Sequence, residues 1–411
     1  MSEQTKQIEL GFKELGVSAS ILNVLKSIKI EIPTPIQIKS IPAALTGQDL
    51  IGVAQTGTGK TFAFGIPMIE RLAVVKGQGL ILLPTRELAL QVEENLRQLG
   101  GRLGLKTAAL IGGQAMGGQL QNLRKNPHIF VATPGRLIDH LKRGSVKLGR
   151  VKILVLDEAD MMFDMGFAPQ IEEIIKRVPK ERQTMLFSAT MPAPILRLAA
   201  KHMTLPIHIE VAPSGTTVEF VDQEMYVMRK EEKYARLQEL LKDHGGSILV
   251  FTRTKYGAKH LAHNLKQGRH MAAEIHSNLS FNQRQEALAG FKSGKYRILI
   301  ATDIAARGLD VFGIELVVNF DLPDNAEDYV HRIGRTARAG KAGKAISFAI
   351  PSQWKDIRDI ERLINKKLNL VKFAELEQAG TRPTFRRYGR TMSFGRSAAR
   401  RPGGMGRRRG R

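Results

Sequence analysis

An apolar run, Leu50–Ala54, ends in the turn Gln55-Thr56-Gly57-Thr58-Gly59, which leads straight into Lys60-Thr61 and an amphipathic stretch from Phe62. Few folds accommodate a buried strand, a tight glycine loop and a helix in that order. The arrangement suits a parallel sheet whose strand ends hold a phosphate. Gly57 and Gly59 let the backbone curl so that its N–H groups face phosphate oxygens, and the helix N-terminus adds a positive dipole. Lys60 is placed to reach the β- and γ-phosphates, and Thr61 to offer a hydroxyl to magnesium. The segment reads A-x-T-G-x-G-K-T, with Ala54 at the first position of the general phosphate-loop pattern.

The rest of the chain supports the parallel sheet. Short apolar runs recur at Leu80–Leu83, Ile129–Ala132, Ile153–Leu156 and Met185–Phe187. Amphipathic stretches lie between them; in Glu87–Leu99, Leu88, Val92, Leu96 and Leu99 return at helical spacing. Strands alternating with helices imply a parallel sheet covered on both faces. The pattern pauses where Pro206, Pro213 and Gly215 gather, then restarts with Ile248–Phe251, Ala272–His276, Ile298–Ala301, Leu316–Phe320 and Ala345–Ile350. We therefore expect an α/β protein of two tandem lobes. An N-terminal extension covers 1–39, a nucleotide-binding lobe 40–206, a linker 207–217, a second lobe 218–375 and a tail 376–411. No repeat of 20–50 residues is visible, which argues against a solenoid.

Charge narrows the partners. The 411 residues carry a net charge of +24, and a field of that sign attracts polyanions, nucleic acid first among them. Eleven arginines, with no lysine and no acid, fall between Arg382 and Arg411; without them residues 1–381 still carry +13. Aliphatic residues nearly vanish from about Gly380, so the tail should be disordered. The tail has two readings, a solubilising disordered end and a sequence-independent RNA tether, and Phe385, Tyr388 and Phe394 among its arginines favour the tether. The chain has no cysteine, which removes disulfides, thiolate catalysis and cysteine zinc sites and fits a reducing compartment, the cytoplasm. No apolar run approaches the roughly 18 residues that span a bilayer, so no membrane role is expected.

Two further constellations carry chemistry. Asp157-Glu158-Ala159-Asp160 directly follows the apolar run Val151–Leu156. Carboxylates at the C-terminal end of a buried parallel strand stand beside the phosphate loop. There Asp157 can hold magnesium and Glu158 can polarise an attacking water. Far along the chain, His331-Arg332-Ile333-Gly334-Arg335-Thr336-Ala337-Arg338 sets three arginines in seven residues. Guanidinium groups bind phosphate bidentately, and an arginine from another lobe can neutralise charge in a transition state.

With these residues the sequence resembles the DEAD-box RNA helicases of superfamily 2, over about residues 12–365. The motifs run Pro33-Thr34-Pro35-Ile36-Gln37, the loop at 54–61, Pro84-Thr85-Arg86-Glu87-Leu88, Gly112-Gly113, Thr133-Pro134-Gly135-Arg136, the DEAD box and Ser188-Ala189-Thr190. In the second lobe follow Val250-Phe251-Thr252, Ala301-Thr302-Asp303, Arg307-Gly308-Leu309-Asp310 and His331–Arg338. The resemblance implies two RecA-like domains and an ATP hydrolase, of bacterial type, that locally unwinds or remodels RNA. It makes Gln37 the reader of the adenine edge, Phe12 a stacking partner and Asp310 a ribose contact. Ala54, Gln55, Thr56, Gly57, Thr58, Gly59, Lys60 and Thr61 hold the phosphates. Arg335 and Arg338 engage the triphosphate, and Ser188, Thr190 and His331 couple hydrolysis to RNA. Thr85, Arg86, Gly113, Thr133, Arg136, Arg284, Thr302 and Asp303 line an RNA track. Such contacts to sugar and phosphate position a strand without reading its sequence. Mg2+ accompanies ATP, and RNA in ribosomal-precursor or mRNA-decay complexes is the implied partner.

Two positions depart from the family pattern. Lys29 and Ile30 stand where the family has glycine and an aromatic residue. Phe281 stands where it has the glutamine of a Ser-Gln-x-x-Arg element. A DNA translocase of the same superfamily and a slow-releasing RNA scaffold are the competing functions. The Gln37–Phe12 pair and the final Asp160 argue against the first.

Overall fold

The structure, a computed structural model, describes residues 11–372 apart from 56, 212–220, 307–313 and 337–342. The first lobe runs α1 (Ala19–Ser27), α2 (Pro35–Leu45), β1 (Leu50–Val53), α3 (Lys60–Val75), β2 (Gln78–Leu82), α4 (Arg86–Gly100), β3 (Thr107–Leu110), α5 (Met116–Arg124), β4 (Ile129–Ala132), α6 (Pro134–Lys142), β5 (Val151–Leu156), α7 (Ala159–Asp164), α8 (Ala168–Ile175), β6 (Gln183–Ser188), α9 (Ala193–His202) and β7 (Ile207–Glu210). The second continues with β8 (Val221–Val227), α10 (Lys233–Asp243), β9 (Ile248–Phe251), α11 (Lys255–Gln267), β10 (Ala272–Ile275), α12 (Phe281–Lys292), β11 (Ile298–Ala301), α13 (Asp303–Ala306), β12 (Leu316–Asn319), α14 (Ala326–Ile333), β13 (Gly343–Ala349), α15 (Trp354–Ile364) and β14 (Asn369–Lys372).

Each lobe holds a seven-stranded sheet, ordered β3-β4-β2-β5-β6-β1-β7 and β10-β11-β9-β12-β13-β8-β14. The pairings are parallel, and the second order repeats the first strand for strand. The chain is thus two copies of one α/β architecture, only the first of which carries a glycine-lysine loop after its opening strand.

Central strands are apolar throughout because both faces are covered. In the first sheet Leu50, Ile81, Val155 and Phe187 join one core layer, while Ile51, Leu80, Leu154 and Leu186 join the other. Alternate side chains thus feed opposite layers. The second lobe buries Leu249, Phe251, Leu299 and Val317 together.

One expectation is corrected. The segment from 207, read as linker, begins with strand β7, which pairs with β1 through Leu50↔Ile207 to Val53↔Glu210. Its alternation of apolar Ile with His and Glu marks a half-exposed edge strand, which the proline and glycine nearby obscured. Trp354 opens α15 and is 39% exposed. Met161 and Met162, after the DEAD box, are buried. The tail at 376–411 lies outside the described residues.

Lys29 has a structural consequence. It follows α1 with φ +58°, in the left-handed region. Ile30 N–H donates to Leu25 carbonyl (2.9 Å) and Lys29 N–H to Lys26 carbonyl (3.1 Å), the doubly bonded helix stop that glycine favours. Replacing the exposed Lys29 by Gly should therefore raise the stability of the first lobe, by about 1 kcal/mol, after the entropy of the freer unfolded chain is subtracted. Urea unfolding checks it. An unchanged or lower midpoint would mean that lysine sits there without strain.

Candidate functional site

Four chain segments converge at the C-terminal ends of the first sheet's strands. β1 delivers Ala54, whose N–H donates to Ser188 carbonyl at 3.0 Å. The loop then turns through Gly57 (φ +86°) and Gly59 (φ +94°) into α3. A side chain at Gly59 would collide with the amide of Gln37, 2.5 Å from an added Cβ. Thr58 Oγ1 donates to Gln55 carbonyl at 2.8 Å, which holds the loop's curve. Lys60 and Thr61 open α3, Lys60 buried and Thr61 half-buried. Thr56 lies outside the described residues.

β5 delivers the carboxylates. Asp157 N–H donates to Leu82 carbonyl at 3.1 Å. Glu158 is left-handed (φ +53°, ψ +51°) and starts α7. A non-glycine residue held there costs on the order of 1–2 kcal/mol. Glu158 Oε1 lies 2.8 Å from Lys60 Nζ, both side chains buried. Asp160 accepts from the backbone N–H of Ala189 (3.0 Å) and Thr190 (2.9 Å) and from Thr190 Oγ1 (3.1 Å). Its own N–H donates to Ser188 Oγ at 3.0 Å. Ser188 and Thr190 are thereby tied to the last carboxylate of the DEAD box.

The electrostatics of this cluster follow from burial. Burial opposes the Lys60 charge, but Glu158, Asp157 and Asp160 outweigh it and hold the ammonium above its ordinary range. Burial pushes the Asp157 carboxyl up to about 7, against the pull of Lys60 and with the repulsion of Glu158. Burial also opposes ionisation of Asp160; Lys60, His331 and the N–H groups of Met161 and Thr190 overcome it and hold the carboxyl low. Three carboxylates with one lysine form a site short of positive charge, the chemistry that a divalent cation and a cationic second lobe supply.

The second lobe brings His331 from α14 and Arg335 from the turn after it. A cavity of about 120 Å³ is lined from lobe one by Glu158, Asp160 and Thr190 and from lobe two by Asp328, His331 and Arg335. Gln55 and His331 share a second, larger cavity with Thr190 beside it. The structure thus brings together Lys60, Asp157, Glu158, Ser188, Thr190, His331 and Arg335. Arg338 and Asp310 lie outside the described residues.

The adenine-side residues are differently engaged. Gln37 is buried; its Oε1 accepts from Thr34 N–H (2.9 Å) and its Nε2 donates to Gly59 carbonyl (3.0 Å). In this arrangement it braces α2 against the phosphate loop. Phe12 is buried in the first lobe's core, where its ring packs instead of offering an open face.

On the expected RNA track, Thr85 caps α4 by accepting from Leu88 N–H (3.3 Å), and Thr133 is the residue before α6. Arg136 Nη1 donates to Gln114 carbonyl at 3.0 Å. Burial and the nearby Arg284 and Arg136 lower the Arg86 pKa, so three guanidinium groups converge here. Gly113 (φ +77°) lets the Arg86 side chain pass against its backbone. Thr302 is half-buried behind β11.

Two of these residues are bound within the protein. Arg284 pairs with Glu87 across the lobes, Nε to Oε1 at 2.9 Å. Asp303 is held by Arg332, with Nη2 to Oδ2 at 2.7 Å and Nε to Oδ1. Sequence reading missed Arg332 as a structural residue. Nothing local to its motif separates a buried arginine from a phosphate ligand.

Family models match in two blocks, DEAD/DEAH box helicase over residues 34–198 and helicase conserved C-terminal domain over 232–340. The chain is 44% identical over 371 residues to the DEAD-box ATP-dependent RNA helicase CshA of Geobacillus kaustophilus, covering 90% of this chain and 79% of that relative. It belongs to the DEAD-box ATP-dependent RNA helicases. CshA of Bacillus subtilis is 43% identical, with 90% and 75% covered. Among solved structures, S. cerevisiae Dbp5 bound to RNA and ADP BeF3 superposes with a TM-score of 0.81 at 30% identity, covering 90% of this chain and 97% of that one. Mss116p bound to ssRNA and AMP-PNP gives 0.82 at 28% identity, covering 91% and 81%. This DEAD-box chain therefore has the family's RecA-like pair of lobes. No helix among its described residues is long and apolar enough to cross a membrane.

Proposed function

We propose that this helicase closes its lobes on ATP and a single strand of RNA, hydrolyses ATP in the cavity between Glu158 and Arg335, and reopens on phosphate release. The observation that carries the reading is the shared cavity: carboxylates from one lobe and His331 and Arg335 from the other line one space. Neither lobe alone has both the Glu158 base and the arginine that faces it.

Each residue's part follows from its chemistry. The backbone N–H groups around Gly57 and Gly59 and the start of α3 bind the phosphates. Lys60 exchanges Glu158 for phosphate oxygens, which frees the Glu158 carboxylate to accept a proton from water. Arg335 and Arg338 stabilise negative charge on the transferred phosphoryl group. Asp160 ties the site to the Ser188–Thr190 turn by its hydrogen bonds. A primary amide has two donors and two acceptor lone pairs, so Gln37 can keep one bond to Gly59 and still meet an adenine edge.

The donor set fits magnesium. Burial lifts Asp157 to about 7 against the pull of Lys60, so a further cation would favour its charged form, and hard oxygen donors are what Mg2+ takes. Thr61 and Asp157 would hold it with the phosphates, where it would neutralise oxygen charge. Arg86, Arg136, Thr85, Gly113, Thr133 and Thr302 guide the RNA backbone, Arg284 and Asp303 steadying the track from within. A cytoplasmic place and ribosomal-precursor or mRNA-decay complexes are the setting this activity suits.

The test is ATP hydrolysis with single-stranded RNA, with DNA and with neither, beside Lys60→Ala. RNA, and not DNA, should raise the rate at least about tenfold, and the variant should lose at least about a hundredfold of it. Equal stimulation by DNA, or a full rate in the variant, would refute the reading.

A further inference from the structure

Phe281 opens α12 in the second lobe, yet it packs in the apolar core of the first. Its side chain is 5% exposed. A Cβ added to Gly113 of lobe one would stand 3.3 Å from Phe281 Cβ. The two lobes thus approach here as closely as a residue without a side chain permits. The turn that carries Phe281 is held firmly: Ser280 N–H donates to Gln283 Oε1 (2.9 Å), and Gln283 N–H to Ser280 Oγ (3.3 Å). One helical turn further, Arg284 meets Glu87 of lobe one. The first turn of α12 therefore touches lobe one through one apolar and one ionic contact.

These two contacts differ in what they do to a closing equilibrium. The ion pair exchanges two hydrated charges for a partly hydrated pair, so it sets register more than affinity. The phenyl ring is covered in this arrangement, and drawing it out of the first lobe's core would return apolar surface to water. The family's glutamine at this place would lose little on separation.

We infer that Phe281 is a positioning residue: an apolar anchor on lobe two that favours the closed arrangement and so sets how strongly bound nucleotide tightens RNA. The inference rests on the proposed closing of the lobes. A contact made only in the closed form raises the affinity of every ligand that requires that form and leaves binding to the open form unchanged.

The chain has no cysteine, so Arg124→Cys and Lys266→Cys, both at exposed positions, place one fluorescent label in each lobe. Closing is read by energy transfer between labels and by oligo(U) RNA affinity, with and without AMP-PNP. For Phe281→Ala, RNA affinity with AMP-PNP should fall on the order of tenfold, and the closed fraction should drop. RNA affinity without nucleotide should stay the same, and Phe281→Leu should recover most of the loss. Phe281→Gln, polar and suited to a helix start, should act in the direction of Ala and serves if the Ala variant folds poorly. Closure equal to the parent in both variants would overturn the inference, as would an equal loss of RNA affinity with and without nucleotide. A parent chain that fails to close with RNA and AMP-PNP would overturn the proposed function, and this inference with it.

Discussion

Replacing Glu158 by Gln should leave ATP bound and lower kcat by roughly 10²- to 10⁴-fold, the usual contribution of a positioned general base. The side chains are nearly the same size, so the left-handed backbone at Glu158 and the packing of α7 persist. What disappears is proton acceptance. The substitution also removes the 2.8 Å ion pair to Lys60. Asp157 and Asp160 still surround that ammonium, so its charge stays compensated and phosphate binding survives. Asp157 loses a like charge beside it and ionises more readily, which favours metal binding. A rate measured at saturating ATP and RNA, beside the affinity of a fluorescent ATP analogue, separates the steps. Turnover within threefold of the parent would remove Glu158 from the chemistry. Lost nucleotide binding would make its role electrostatic support of Lys60.

Arg332→Ala should destabilise the second lobe by about 3–5 kcal/mol, the usual cost of stripping one partner from a buried ion pair. The guanidinium is 2% exposed. It holds both oxygens of Asp303, Asn319 Oδ1 (3.2 Å) and Asp321 carbonyl (2.6 Å). Its flat face lies 4.9 Å from the Phe251 ring centre. Truncation would strand the Asp303 carboxylate beside the apolar core and leave two further acceptors unbonded. The second-lobe melting transition should fall on the order of 10 °C. Arg332→Lys should rescue little, because an ammonium cannot make the planar fork. A loss under about 1 kcal/mol would mean that the cost of desolvating the pair cancels its attraction. Because Arg332 shares α14 with His331, loosening it should also blunt RNA-stimulated hydrolysis before the lobe unfolds.

Which elements could be read in advance follows from burial. Central strands such as Ile129–Ala132 and Ile298–Ala301 are apolar on both faces, and their boundaries match the structure residue for residue. β3 and β7 edge the first sheet, and β14 lies at the edge of the second opposite β10. They mix Thr, His, Glu, Asn and Lys with apolar residues because a sheet edge is half in water. β8 carries Asp222, Gln223 and Glu224 in succession before its apolar end. None of these four stands out as a run.

The site divides along the same line. Its phosphate loop and DEAD box are local arrangements, in which a strand, a turn and a helix succeed one another within a dozen residues. Neighbours in sequence are then neighbours in space, and residue types at fixed spacing determine the chemistry. Partners come from the fold. Glu87 and Arg284 are 197 positions apart, Asp303 and Arg332 29 apart, and Asp160 and Ser188 28 apart. An arginine reads alike in sequence whether it faces phosphate, caps a core or bridges two lobes; only the low dielectric and the nearest carboxylate decide which, and both are set by packing. Sequence by itself determined two α/β lobes, a phosphate loop and an acidic strand end. Tertiary structure decided that Arg332 and Arg284 are spent within the protein and that Phe281 of one lobe lies in the core of the other, because burial depends on what the whole chain folds against.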